Sequence, residues 1–215
     1  GEVVKRLPLP FYKVKEVTEA LSGFSNPLSY NTPNEDYRIG TEKKKKKGIV
    51  YEVGNFYRHV DMKRFDEELI VNRILARTTI VPKLKDIDES VYKISTTAKD
   101  DATIDEMKRI LGEISGLAVV SSFSNNIEIT DERAQKGPVL KDYIESHGYT
   151  MEEVIVFGDS QNDHSMLSMD FGCTFAMENA STEIKAAAQR IAPPNTDHGV
   201  ARVIEELLEE HQMRI

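Results

Sequence analysis

Cysteine is nearly absent from the 215-residue chain: Cys173 is the single one, so an internal disulfide framework is excluded and a reducing compartment, the cytoplasm, is expected. No apolar run approaches the roughly 18 to 20 residues needed to cross a bilayer, and no basic-then-apolar leader with a small-residue cleavage site opens the sequence. A soluble protein with no membrane partner is the expectation. A basic excess is missing too. The net charge of −8 argues against nucleic-acid partners, whose phosphates call for clustered Lys and Arg; a local positive pocket for small anions stays open. The 40% hydrophobic content suffices for one large core or two small ones. The first residue is Gly1 rather than Met, so a processed chain or a fragment is expected.

Two regions differ in grammar. From about Val139 onward, helix-like and strand-like segments alternate with short connections, the pattern of a doubly wound parallel sheet. Pro138 suits the first turn of a helix with Val139, Leu140, Tyr143 and Ile144 on its apolar face, and His147-Gly148 closes it. Strands are predicted at Val154 to Phe157 and Cys173 to Met177, with helices around Met166 and Leu167, over Thr182 to Arg190 and over Val200 to Glu210. Cys173, inside a strand, is expected to be buried and inert. Up to about Thr130 the chain reads instead as an α+β module of about 120 residues, a usual domain size. Its predicted strands are Ile49 to Val53, Tyr92 to Ser95, Leu117 to Phe123 and Ile127 to Thr130, with a hairpin turn at Ser124-Asn125-Asn126 and two helices, the better one Thr103 to Ser115. Tyr30 to Lys47 reads as irregular. Its lysine run, Lys43 to Lys47, reads as a solvated loop or hairpin tip, or more sharply as an electropositive lip for anions.

Chemistry concentrates in Gly158-Asp159-Ser160-Gln161-Asn162-Asp163, directly after an apolar strand. Ligands of open α/β sheets bind beyond the carboxyl ends of the strands. Two carboxylates four residues apart on a loop turning into a helix can converge on a hard cation, and Mg²⁺ fits because it takes one or two carboxylates and bridges to phosphate. Gly-Asp is equally an ordinary turn, and Asp163 an ordinary N-cap. Lys136, just before a helix, can place an ammonium near an anion held at that helix's start.

Four ordered segments, Asp131 to Leu140, Gly158 to Leu167, Ala176-Met177-Glu178-Asn179-Ala180 and Asn195-Thr196-Asp197-His198-Gly199-Val200, resemble the Cof-like branch of the haloacid-dehalogenase phosphatases, continuously from about Ile127 to Leu208. The resemblance implies a Rossmann-like α/β core with an inserted α+β cap: residues 1–10 entering the cap, 11–125 the cap, and 126–215 the C-terminal part of the core. It implies that Lys136 is the catalytic lysine that neutralises phosphoryl oxygens, and that Asp159 and Asp163 are catalytic, metal-holding acids, Asp159 the first choice as direct Mg²⁺ ligand and Asp163 held to the ion directly or through water. Asn162 and Asn195 are implied in binding substrate or the metal shell, whereas Asn179 and Ala180 are expected to shape a turn. The implied activity is Mg²⁺-dependent hydrolysis of small phosphorylated metabolites such as sugar phosphates.

The family's first motif, an apolar strand followed by Asp-x-Asp, finds no counterpart here. The nearest string, Asp86-Ile87-Asp88-Glu89-Ser90, follows Pro82-Lys83-Leu84-Lys85 rather than a buried strand. Val154 to Phe157 is apolar throughout, as a doubly paired strand would be, yet the chain offers only Cys173 to Met177 and Arg190 to Ala192 as partners, which leaves a central strand at an edge. The expectation is that about 70 to 80 residues of half-domain lie upstream, and that the chain alone is inactive and either needs that piece or self-associates through an exposed sheet edge. The rival expectation is a non-catalytic module that keeps the metal and phosphate site for regulation.

Overall fold

The chain folds as two units, Gly1–Ala134 and Gln135–Ile215, in a computed structural model that describes residues 3–56, 66–122 and 125–212.

In the first unit, Pro10 precedes helix α1 (Phe11–Ala20), whose Val14 and Val17 are buried. Two short strands follow, β1 (Ser29–Asn31) and β2 (Asp36–Ile39), in antiparallel register with Tyr30 opposite Tyr37. Thr32 closes the turn between them: its hydroxyl donates to the Glu35 carbonyl at 2.7 Å and accepts from the Glu35 amide at 3.1 Å. The segment expected to be irregular thus holds almost the whole of a hairpin. Its strands are short and mostly polar, so alternation gave no signal.

Helix α2 (Glu42–Phe56) corrects two further expectations, because it contains both the lysine run and Ile49 to Val53, read as loop and strand. Lysine is a good helix former that carries no apolar period. Ile49 and Val53, four residues apart, lie on one face and pack with Val71 of α3 (Glu67–Arg77). Asp66 caps α3 by accepting from the Leu69 amide at 2.9 Å. Strands β3 (Thr78–Val81) and β4 (Lys93–Thr97) follow, then α4 (Asp101–Leu111), capped by Asp100, and the antiparallel pair β5 (Leu117–Val120) and β6 (Asn126–Asp131). Phe123 and Ser124, expected at a strand end and in the hairpin turn, lie outside the described residues.

These strands form one sheet in the order β3-β2-β1-β4-β6-β5, antiparallel except for β2 with β3. The apolar faces of α1 and α4 close over Tyr30, Ile94, Ile127 and Ile129 in a single core cluster; burying each aliphatic side chain fully is worth about 1.5–3 kcal/mol. Since β6 bonds to both β4 and β5, it belongs to this unit. The boundary therefore falls after Ala134 rather than at the 125/126 division drawn from the sequence.

The second unit alternates as expected: α5 (Lys136–Ser146), β7 (Ile155–Gly158), α6 (His164–Leu167), β8 (Cys173–Met177), α7 (Thr182–Ala187), β9 (Arg190–Ala192) and α8 (Gly199–Gln212). Its sheet is wholly parallel, in the order β7-β8-β9. Ile144, Val156, Leu167 and Ile184 pack on one side, and Phe175, Met177 and Val203 on the other. Among the described residues β7 pairs on one side only, and Ile155 on it is 43% exposed. Cys173 is half-buried rather than buried, because it begins β8, where side chains are incompletely covered. Among the described residues no helix is long and apolar enough to cross a membrane.

Candidate active site

At the carboxyl end of β7 the chain turns sharply through Asp159 and Ser160 into a single 3-10 turn, Gln161–Asp163, and then α6. Asp163 organises the loop. Its side chain is 8% exposed. One oxygen, Oδ2, accepts from the backbone amides of Asp159 at 3.0 Å and Ser160 at 3.2 Å, and the other, Oδ1, accepts from Lys136 Nζ at 2.6 Å. Gly158 is required beneath it: a Cβ there would stand 2.5 Å from that of Asp163.

Lys136 opens α5, and its backbone is fixed by the next residue. The Gly137 amide donates to Ser165 Oγ at 3.2 Å, and a Cβ on Gly137 would lie 2.2 Å from the Ser165 carbonyl oxygen. Such an approach of α5 to α6 admits only glycine. It delivers the lysine ammonium to Asp163 while half of the lysine side chain, 53%, stays exposed.

Asp159 is half-exposed beside this pair. Its Oδ1 accepts from Ser160 Oγ at 3.1 Å and its Oδ2 from Asn179 Nδ2 at 3.2 Å. Asn179, after β8, in turn accepts the Asn195 backbone amide at 3.0 Å on its Oδ1. Asn179 lies in the turn after β8, as expected, and from there ties the acid to the late loop, a site contact that the turn reading alone did not include. The Ala176 to Ala180 segment was itself one of the four ordered motifs, and that was the available signal. Asn195 joins through its backbone, and Asn162 sits half-buried within the 3-10 turn. Lys136, Asp159, Asp163, Asn162 and Asn195 all belong to the second unit. Asp88 lies elsewhere, in the first unit, accepting from the Tyr37 hydroxyl at 2.8 Å.

Among the described residues no three His, Cys, Asp or Glu side chains converge as a metal cage. Both carboxylates have their oxygens engaged, but Asp163 is buried on Lys136 whereas Asp159 is half-exposed, so Asp159 is the carboxylate open to a cation. One hard oxygen donor flanked by a hydroxyl and a carboxamide fits a cation such as Mg²⁺, which keeps much of its water and takes few carboxylates. It does not fit a metal that needs a full protein cage.

Known proteins resemble this chain in sequence and in fold. A putative phosphatase of Haemophilus influenzae is 29% identical over 217 residues, covering 94% of this chain and 81% of that protein. The 5-amino-6-(5-phospho-D-ribitylamino)uracil phosphatase YwtE of Bacillus subtilis is 32% identical over 120 residues, 56% of this chain and 42% of its own length. The solved structure of a haloacid dehalogenase-like hydrolase from B. subtilis superposes with a TM-score of 0.76 at 21% identity, covering 96% of this chain and 74% of that one, which shows a common fold. The sequence model of the haloacid dehalogenase-like hydrolases matches residues 1–204, and the chain belongs to that enzyme family, whose Cof-like branch its four motifs resemble.

Proposed function

We propose that this chain serves an Mg²⁺-dependent phosphomonoesterase of the cytoplasm that acts on small phosphorylated metabolites, sugar phosphates among them. The observation that carries the reading is the juxtaposition at the end of β7: the Lys136 ammonium held 2.6 Å from buried Asp163, beside the half-exposed carboxylate of Asp159. A phosphoryl group brings two or three anionic oxygens, and such a site answers them with one fixed cation and one ligand for a second.

In this reading Lys136 binds the phosphoryl oxygens and neutralises the charge that grows on them. Asp163 is a positioning residue; it fixes the ammonium and closes the loop on its own amides. Asp159 would hold Mg²⁺, with Asn179 setting the carboxylate's orientation as an outer partner does for a metal ligand. The bound ion would supply Lewis-acid polarisation of the phosphoryl group. Asn162 and Asn195 line the same loops and would contact substrate or the metal's water. The attacking nucleophile is assigned to none of these side chains. Relatives named as phosphatases, one of them acting on a phosphoribityl compound, support a small phosphorylated substrate.

The test, run on the chain together with the nucleophile-bearing piece expected from the sequence, is a screen of sugar phosphates and p-nitrophenyl phosphate with and without Mg²⁺, alongside calorimetric Mg²⁺ titration of the wild type and of Asp159→Asn. Metal-dependent release of phosphate that disappears in Asp159→Asn is the expected result. Mg²⁺ binding indifferent to Asp159 would sink the assignment, and metal and phosphate binding without any turnover would favour the non-catalytic module.

A further inference from the structure

A second candidate site lies in the first unit, among residues given no role in the function proposed above. Between the end of α1, strands β1 and β2, and α2 is a cavity of about 790 Å³, within the range of roughly 300–1,000 Å³ that small-molecule pockets occupy. Leu21, Phe24, Leu28 and Ile80 give it apolar walls, and no carboxylate lines it.

Its polar centre is Arg38. The side chain is 7% exposed; Nη2 pairs with Glu52, while Nε and Nη1, both buried, have no hydrogen-bond partner among the described residues. Buried donors of a charged group are rarely left so, because each forfeits its hydration without replacement. The loss of hydration pulls the guanidinium down to about 10, against the opposing field of Asp36.

Helix α2 supplies the rim. Lys44, Lys47, Gly48 and Tyr51 follow one another at helical spacing on the face that lines the cavity. Gly48 has no side chain to cover the guanidinium: even a Cβ there would stand 3.5 Å from Arg38 Nη1, and larger groups would fill that space. Lys44 and Lys47 form no ion pair among the described residues, Lys45 reaches Glu42 only at 4.0 Å, and Lys99 lies 5.6 Å from the Tyr51 ring. The lysine run is thus wound into a helix whose cations face a pocket with unspent donors at its floor.

We infer that this cavity binds a small organic oxyanion, a carboxylate or a phosphoryl group on an apolar body. Arg38 Nε and Nη1 receive the oxyanion, and the apolar walls take the rest of the molecule. Lys44 and Lys47 raise the local concentration of anions at the mouth.

The experiment uses the whole chain carrying Lys136→Ala, so that the site of the second unit contributes no phosphoryl binding, titrated calorimetrically at low salt with benzoate and with phenylphosphonate, which cannot be hydrolysed. The expected result is saturable binding of at least one probe; the better of the two identifies the preferred anionic group. Adding the surface pair Lys44→Gln and Lys47→Gln should weaken that binding at least about fivefold, the scale of two partly exposed charge contacts. Arg38→Lys keeps the charge beside Glu52 but removes the guanidinium donors, and should weaken it further. Absence of saturable binding, or a change smaller than fivefold in both the lysine pair and Arg38→Lys, overturns the proposal. If Arg38→Lys fails to fold, the lysine pair alone decides. Phosphatase activity and Mg²⁺ affinity do not enter these readouts, so the two sites stand or fall separately.

Discussion

The two units distribute their polar groups in opposite ways. In the first, Arg38, Asn55, Thr96, Thr97, Ser121, Asn125 and Asn126 are all buried within or beside the sheet, whereas the buried polar residues of the second are Asp163 and Thr174 among the described residues. The second unit's parallel strands all point their carboxyl ends one way, so its polar chemistry collects in the loops there, over apolar layers. The first unit's antiparallel sheet has no such common end. Its cationic cavity is formed by strand and helix bodies instead. A function assembled from loops can change one side chain without touching the core, while one assembled from buried polar groups cannot.

The sharpest way to break this contrast is Asp159→Asn. A half-exposed loop acid that would ligate a cation contributes to chemistry and little to folding, so in the enzyme supplied with its nucleophile Mg²⁺-dependent turnover should fall by about 100-fold or more, with stability changed by less than about 0.5 kcal/mol. Parallel measurement of steady-state rates and of the urea midpoint checks both halves. Asn179→Ala should act in the same direction but more weakly, raising the Mg²⁺ concentration needed for half-maximal rate by about 10-fold, as loss of a metal ligand's outer partner does.

In the first unit the corresponding change is structural. Ile94 is fully buried in the core cluster beneath α1 and α4, and Ile94→Ala should cost about 2–5 kcal/mol through lost burial and the cavity left behind. A denaturant melt reads it directly. A loss below 1 kcal/mol would mean that this core is far looser than its packing indicates.

Legibility in the sequence followed the same divide. The Gly158 to Asp163 loop stood out because two carboxylates four residues apart directly follow an apolar strand, and the structure places that loop at the strand's carboxyl end. The alternation of β7, β8 and their helices was readable too. Lysines 43 to 47 have no apolar period, so helix α2 could not be seen; its packing rests on Ile49 and Val53, whose β-branched run imitated a strand. Arg38 was invisible altogether, since burial by α2 is a tertiary fact and nothing in Asp36-Tyr37-Arg38-Ile39 separates it from a surface arginine. Asn179 fell between these cases: its position in an ordered motif was visible, but its reach to Asp159 was not.

A smaller effect tests how the site unit holds Lys136. Gly137→Ala would press a methyl group to 2.2 Å from the Ser165 carbonyl oxygen and 2.7 Å from the Met169 sulfur. Overpacking of this kind costs about 1–3 kcal/mol. Because α5 must back away from α6, the Lys136 contact with Asp163 should lengthen too, so activity should fall beyond what the unfolded fraction explains. Activity that simply tracks the folded fraction would show that Lys136 is placed by something other than this helix contact.

The smallest expected effect concerns pH and the link before the second unit. Asp131, buried at the end of β6, accepts from Arg133 Nε at 2.8 Å and Nη2 at 2.9 Å, and from the Arg133 amide at 3.0 Å. The Arg133 side-chain bonds, more than the amide bond, hold its carboxyl below the usual carboxylate range, against the opposing effect of burial. A carboxyl depressed in the folded state takes up its proton at higher pH in the unfolded state. Its stabilisation is therefore complete above the ordinary carboxylate range and is lost as pH falls through the folded value. Arg133 is 65% exposed, and solvent screening limits the pair to about 1 kcal/mol or less. Asp131→Asn should accordingly destabilise by up to about that amount near neutral pH, and the difference should shrink toward nothing as pH falls through the folded carboxyl's own range and the wild-type carboxyl takes up its proton as well. Glu153 in the second unit is shifted in the same direction, by the Thr150 amide at 2.7 Å and hydroxyl at 3.0 Å, but it is fully exposed, so Glu153→Gln should leave a smaller pH-dependent difference. Urea melts of the two variants and the wild type across the acid range provide the measurement. A difference for Asp131→Asn that stays constant with pH would assign its contribution to packing rather than charge, and a larger pH-dependent loss in Glu153→Gln would reverse the ranking of buried over exposed acids on which the contrast between the units rests.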